Sequence, residues 1–385
     1  MKRTPNPIRL RDVAEAAGVS QGTASNVFNR PDLVREEVRE RVREAARVLG
    51  YAGPSPKGRL LRAGKAHAIG VAAAEPLDYF FADPWARRLM TEIASVCHAR
   101  GAGLALVSVA EDHGLAWSIE SALVDGFLLR CGGRELLVEI AQRRGLPFVA
   151  LSLDTSEPDV PAVDIDDFGG ARDAARHLVD LGHRRFAILG IGVGDGSGRS
   201  TPDEVRATRF VNVRERARGY WAALAEAGIK DTDVPFLSTR NDQASVAAAM
   251  EALFEGAEPP PTAVLAMSDL VALAALDWLG ARGWHVPSDV SVVGFDGVPE
   301  AAAAIPALTT VEQPYRQIAE RSVRAILDDD LPVGREVLPL RLLVRDSSGP
   351  PPRRTEAGAD SRDTSPDRPK PLVATGLGVS VTGEV

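Results

Sequence analysis

Ile8-Arg9-Leu10-Arg11-Asp12-Val13-Ala14-Glu15-Ala16-Ala17-Gly18-Val19-Ser20-Gln21-Gly22-Thr23-Ala24-Ser25-Asn26-Val27-Phe28-Asn29 is divided by Gly18 into two helical patterns. Before it, Leu10, Val13, Ala14 and Ala17 recur at i, i+3, i+4 and i+7, the spacing of one buried helical stripe. Gly18 supplies the stop, because a residue without Cβ enters the left-handed region at no steric cost, and Val19 fills the corner. Ser20 is a favoured N-cap for a second helix, Gln21 to about Phe28, which buries Ala24, Val27 and Phe28. Two short helices joined in this way make a helix-turn-helix, whose second helix can enter the major groove. Gln21, Gly22, Ser25 and Asn26 fall on its outer face, and Gln or Asn can bond two atoms of an adenine edge. An ordinary helical hairpin with a solvated face has the same local pattern, so the remaining chain must discriminate.

Arg35–Leu49 reads as a third helix with Val38, Val42, Ala45, Ala46 and Leu49 on one face, ended by Gly50, with Tyr51 folding back. Residues 1–51 are thus an all-α head. Residues 52–66 form a hinge that starts as a Pro- and Gly-containing linker. Its basic piece Lys57-Gly58-Arg59-Leu60-Leu61-Arg62 is too short to be helical alone and orders on a partner. A basic segment with an apolar wedge suits the minor groove, where Leu61 can pry open a base step and Arg59 adds positive charge. Charge agrees: through Lys65 there are 14 Lys and Arg against 7 Asp and Glu, whereas the rest of the chain holds 31 against 46. A basic head on an acidic body localises the polyanion-binding surface. The bland reading is that some of these arginines, as in Arg35–Arg47, are only solvated beside glutamates.

From Ala68 the pattern alternates between apolar β-runs and helices as far as Gly294, which gives parallel sheets flanked by helices and, at this length, two lobes over residues 67–346. Ile191–Phe210 stands out as a Gly-rich polar insertion, expected to be a mobile surface loop. Residues 347–385, rich in Pro, Arg, Asp, Ser and Thr, are expected to be a disordered tail without a coiled coil. No apolar run of about 18 residues is present, Met1–Leu10 lacks an apolar leader core, and Cys97 and Cys131 are too few for a disulfide framework. These point to a cytoplasmic, nucleoid-associated protein with no membrane partner. The six His and two Cys show no metal-ligand spacing, so no metal and no cofactor are expected. Gly190-Ile191-Gly192-Val193-Gly194-Asp195-Gly196 lacks the spacing of a phosphate loop.

The motif Arg11-Asp12-Val13-Ala14…Ala17-Gly18-Val19-Ser20…Thr23-Ala24-Ser25…Asn29 resembles the DNA-binding head of LacI/GalR-family transcriptional regulators. Further matches in family order are Leu49-Gly50-Tyr51, Leu61-Arg62-Ala63-Gly64, Asp164…Gly169-Gly170-Ala171, Leu181-Gly182-His183-Arg184-Arg185, Ser268-Asp269 and Val286-Pro287-Ser288-Asp289-Val290-Ser291-Val292-Val293-Gly294-Phe295-Asp296. The resemblance spans about Ile8 to Val344. It implies a homodimeric regulator that reads a palindromic double-stranded operator with two heads and two hinge helices, a repressor released from it or tightened on it by the effector, with an activator or global regulator as the alternative within the family. Its body would resemble a periplasmic sugar-binding protein, with a small-molecule effector between the lobes. On the matching positions Gln21, Gly22 and Asn26 would face base edges, and Ser20, Thr23, Ser25 and Asn29 phosphates. Leu61 matches the hinge leucine. Three departures stand out: Gly22 has no side chain to read a base, Gly58 weakens the hinge helix, and Arg9 and Arg35 replace helix caps at about 1 kcal/mol each.

Ligands of two-lobed α/β proteins sit at the C-terminal ends of strands. Asp154, Asp269 and Asp296 fall there, and converging carboxylates suit a polyol whose hydroxyls donate. Arg216 matches the family arginine that holds the effector. Phe80 and Phe81 could pack on a sugar ring, and Gln313 is a weaker candidate. The bland alternatives are that the Asp residues cap helices and the Phe residues belong to a core or interface. A stand-alone sugar-binding protein and a carbohydrate-acting enzyme, with Asp154 and Asp296 as an acid–base pair, are the competing classes.

Overall fold

The structure is a computed structural model that describes residues 8–53, 65–73, 75–108, 121–130, 135–151, 160–193, 197–255 and 259–353. In the head, α1 (Leu10–Ala16), α2 (Gln21–Asn29) and α3 (Glu36–Leu49) close on Val13, Ala14, Ala17, Ala24, Val27, Val42 and Ala46. Gly18 takes φ +63°, which lets the chain reverse between α1 and α2. Ser20 Oγ accepts from Thr23 N at 3.0 Å, the N-cap expected from sequence. The missing cap at Arg9 is compensated from the other side: its backbone N–H donates to the Asp12 carboxylate at 2.9 Å. Arg35 caps α3 with no side-chain bond, and Glu36 and Glu37 instead face the positive helix end. Tyr51 packs edge-to-face on Phe28, with ring centroids 5.7 Å apart.

The body has two lobes, each a buried sheet between helices. The first sheet, in the order β12-β5-β4-β3-β1-β2, joins β1 (Ala68–Ala73), β2 (Gly103–Ser108), β3 (Gly126–Arg130), β4 (Phe148–Leu151), β5 (Ala162–Ile165) and β12 (Arg335–Leu338), all parallel. The second, in the order β13-β11-β10-β9-β6-β8-β7, joins β6 (Phe186–Ile191), β7 (Gly198–Ser200), β8 (Phe236–Thr239), β9 (Ala263–Ala266), β10 (Ser291–Asp296), β11 (Thr309–Glu312) and β13 (Arg341–Leu343). It is parallel except at its edges, where β7 and β13 run antiparallel. Separate apolar layers cover the two faces of each sheet, which is why these strands read as continuous apolar runs.

The described chain crosses between lobes three times. It passes from β5 to the helix Asp167–Asp180, from β11 to the helix Tyr315–Leu327, and from β12 to β13. The second and third crossings were not foreseen from sequence: Tyr315–Leu327 returns to the first lobe against Pro84–Ala99, and β12 pairs with β5.

Two sequence expectations need correction. The Ile191–Phe210 insertion is not a plain loop: β7 pairs with β8, and the helix Pro202–Arg206 starts with a Thr201–Glu204 capping box. The boundary drawn at residue 347 is too early. Ser347 is buried and donates from Oγ to Val292 O at 2.6 Å, and His183 bridges Thr262 Oγ1 (2.9 Å) and Gly349 O (2.8 Å). Those bonds fasten the segment to β10, and the body runs through Pro351.

Candidate functional site

On α2 the residues expected to meet DNA occupy one side. Gln21, Gly22, Asn26 and Asn29 are exposed, while Ala24 and Val27 face the head core. The outer residues divide in two. Ser20 Oγ lies 2.8 Å from Thr23 Oγ1, and Asn29 Nδ2 donates to Ser25 O at 3.0 Å and Ser25 Oγ at 3.1 Å. The four side chains are thus bonded in two pairs, Ser20 with Thr23 and Ser25 with Asn29. Gln21 and Asn26 project beside Gly22, where a built Cβ would meet nothing nearer than Ser20 Oγ at 3.7 Å. Arg59 and Leu61 lie outside the described residues.

Between the lobes is a cavity of about 100 Å³ lined by Asp83, Trp85 and Arg130 from the first lobe and by Asn212, Arg216, Asn241, Ser268 and Asp296 from the second, with Gln313 at a crossing. Arg216 is buried on the helix Val211–Glu226. Its Nε donates to Asp167 at 2.7 Å, its Nη1 donates to Met267 O at 2.5 Å and lies 3.6 Å from Asp296 Oδ1, and its guanidinium stacks 3.6 Å over Phe295. Burial pushes the Asp296 carboxyl well up, and Arg216 pulls it back. Asp296 also has φ +125°, a strained backbone for a residue with Cβ. It is held by Gln313 Nε2, which donates to Oδ1 at 2.8 Å, and by the Tyr315 hydroxyl, which donates to its carbonyl at 2.9 Å. Arg216, Asp296 and Gln313 therefore meet at one wall of the cavity.

Other expected contacts fall elsewhere. Asp269 is fully buried off the cavity, accepting from Thr310 Oγ1 at 2.5 Å and Val298 N at 2.8 Å. It pins the turn after Asp296, and Gly294 makes room for it, since a Cβ there would lie 2.3 Å from Asp269 Oδ1. Asp269 is a strut, not a lining residue. Phe80 is buried in the first-lobe core and Phe81 is exposed, so neither faces the cavity; Tyr79 and Trp85 do. The periodicity of one short helical turn could not say which of three successive aromatics points inward. Asp154 lies outside the described residues.

Several lining groups, Asp83, Asn241, Ser268 and Asn212 among them, were not singled out from sequence. Asp83 Oδ1 accepts from Ala86 N at 2.9 Å as a helix cap, and Oδ2 accepts from Asn241 Nδ2 at 3.1 Å across the lobes. Ser268 Oγ then donates to Asn241 Oδ1 at 3.0 Å. Asn212 was missed because its helix starts at Val211 on Phe210, which offers no capping side chain to mark the start. The lobes also meet where Trp85 Nε1 donates to Gln313 Oε1 at 2.9 Å and where Arg87 pairs with Glu300. Segment 83–87 thus contacts three separate parts of the opposite side.

The sequence of residues 9–53 matches the bacterial regulatory proteins of the lacI family, and residues 175–348 match a periplasmic binding protein-like domain. The HTH-type transcriptional regulator Rv3575c of Mycobacterium tuberculosis is 36% identical over 360 residues, covering 90% of this chain and 99% of that protein. The chain belongs to the LacI family. Like other LacI-family members it is a DNA-binding transcriptional regulator, with a helix-turn-helix head and a two-lobed body. Two solved LacI-family structures are similar over 89% of this chain and 100% of theirs. One is a transcriptional regulator CelR–cellobiose complex, at 31% identity and TM-score 0.62. The other is the lac repressor dimer bound to operator and the anti-inducer ONPF, at 25% identity and TM-score 0.70.

Proposed function

We propose that the protein is a homodimeric repressor that holds a palindromic operator and is released when a sugar or sugar derivative enters the cleft. The observation that carries this reading is the convergence of Arg216, Asp296, Asn241 and Trp85 on one cavity whose walls come from both lobes. Hydroxyl groups of a polyol can accept from Arg216 and donate to Asp296, while Trp85 offers an apolar face. A ligand that touches both walls stabilises the closed arrangement, by about 2.7 kcal/mol when present at 100 times its Kd. That free energy is available to bias the lobes and, through residues 52–66, the spacing of two heads. Gln21 and Asn26 read base edges in this scheme, and Leu61 wedges into the minor groove. A related regulator whose structure contains cellobiose supports the choice of ligand class.

Genome-wide footprinting of the protein, followed by operator gel shifts with the metabolites of the bound genes' pathways, tests the proposal. Release by one sugar is the expected result. Sequence-specific binding that no carbohydrate alters would refute the effector part, and absence of any sequence preference would refute the whole.

A further inference from the structure

Taking the cleft as the carbohydrate site just proposed, on which this step rests, we infer that it selects an uncharged polyhydroxyl effector and rejects the phosphate ester of the same compound. The reason is which polar groups the protein has already used for itself. Two guanidinium groups line the cavity, and each has its own carboxylate. Arg216 donates to Asp167 at 2.7 Å, and Arg130 pairs with Glu75 while lying over the Trp85 ring. The lining carboxylate Asp164 is likewise matched, by Arg335 at 2.5 Å. These three pairs cancel.

Two lining carboxylates remain, Asp83 and Asp296. The first is hydrogen-bonded by neutral donors, Ala86 N–H and the Asn241 amide, and shares the charge of Arg130 with Glu75. The second shares Arg216 with the nearer Asp167, at 3.6 Å against 2.7 Å. Among the described lining residues no cation is left to balance an incoming phosphate monoester, which carries about −1.5 to −2 at neutral pH. Burial already raises the Asp296 carboxyl, so a dianion beside it must either face a carboxylate or bring a proton with it. Both lower its affinity. A hydroxyl has no such conflict, because it donates to Asp296 and accepts from the Asn212 amide or the Arg216 guanidinium.

The test is calorimetric titration of the full-length protein with ribose, glucose and cellobiose, and with ribose 5-phosphate and glucose 6-phosphate. The expected result is a neutral sugar that binds at least about tenfold tighter than its phosphate ester, with the gap narrowed in Asp296→Asn. A phosphate ester binding as tightly as its parent sugar overturns the charge inference and leaves a carbohydrate cleft standing. Binding by none of the five overturns the carbohydrate reading itself, and the inference falls with it.

Discussion

Asp269→Asn separates a strut from a ligand contact. The native carboxylate is fully buried, and that burial pushes its pKa up to about 7, against the pull of the Thr310 hydroxyl, the Val298 and Gly297 N–H groups and Arg345. In the unfolded chain an Asp titrates near 3.9, so between about pH 4 and 7 the folded protein holds a proton that the unfolded chain has lost. The folded value is the raised one. Stability from this group is therefore greatest at low pH, falls as pH rises through that window, and levels off above about 7. Between pH 5 and 8 the fall amounts to roughly 2–3 kcal/mol. Asparagine keeps the shape, can accept from Val298 N–H and donate to Thr310 Oγ1, and brings no charge to bury. The variant is expected to lose this share of the pH dependence and to melt several degrees higher at pH 8, at about 2–4 °C per kcal/mol. Trp221 and Trp278 are buried in the same lobe, so thermal melts followed by tryptophan fluorescence at pH 5 and pH 8 read the effect. A variant with the same pH 5-to-8 loss as the native protein refutes the buried-charge argument. Loss of effector binding with native pH behaviour would return Asp269 to the ligand.

Asn26→Ala is expected to relax base choice at one position of the operator half-site by ~1–3 kcal/mol, measured by competition among single-base operator variants; unchanged preference at every position refutes direct readout by Asn26. Gly22→Ala has room for its methyl group, which meets only Ser20 Oγ at 3.7 Å, so the head should be stabilised by up to about 1 kcal/mol. A lower melting temperature would contradict this. Trp85→Phe removes the donor to Gln313 and keeps the apolar face, so effector affinity should fall by roughly 0.5–1.5 kcal/mol while ligand-free operator binding stays near native; isothermal titration beside gel shifts checks both.

The head was legible from its sequence because its determinants are local. Helical spacing buried Val13, Ala14 and Ala17, Gly18 took the positive φ, and Ser20 capped α2, all within one short segment. The alternation that makes the two lobes was legible for the same reason, as was the exposed face of α2. Of the cleft, Arg216, Asp296 and Gln313 followed from strand ends and family motifs.

Tertiary structure alone decided the rest. Asp83 caps its own helix, a local and readable role, but its bond to Asn241 spans 158 positions of sequence. Trp85 reaches Gln313 across 228 positions, and no periodicity distinguishes it from the buried Phe80 or the exposed Phe81. Asp269 sits beside a strand end as a ligand-binding residue would, yet the missing side chain at Gly294 lets it turn inward to Thr310 and Val298. Ser347 and Gly349 have the composition of a tail and are fixed by β10 and His183. Local spacing determines which elements form and which face is apolar. Which polar side chains meet at the cleft depends on how two sheets, joined by three crossings, close on one another.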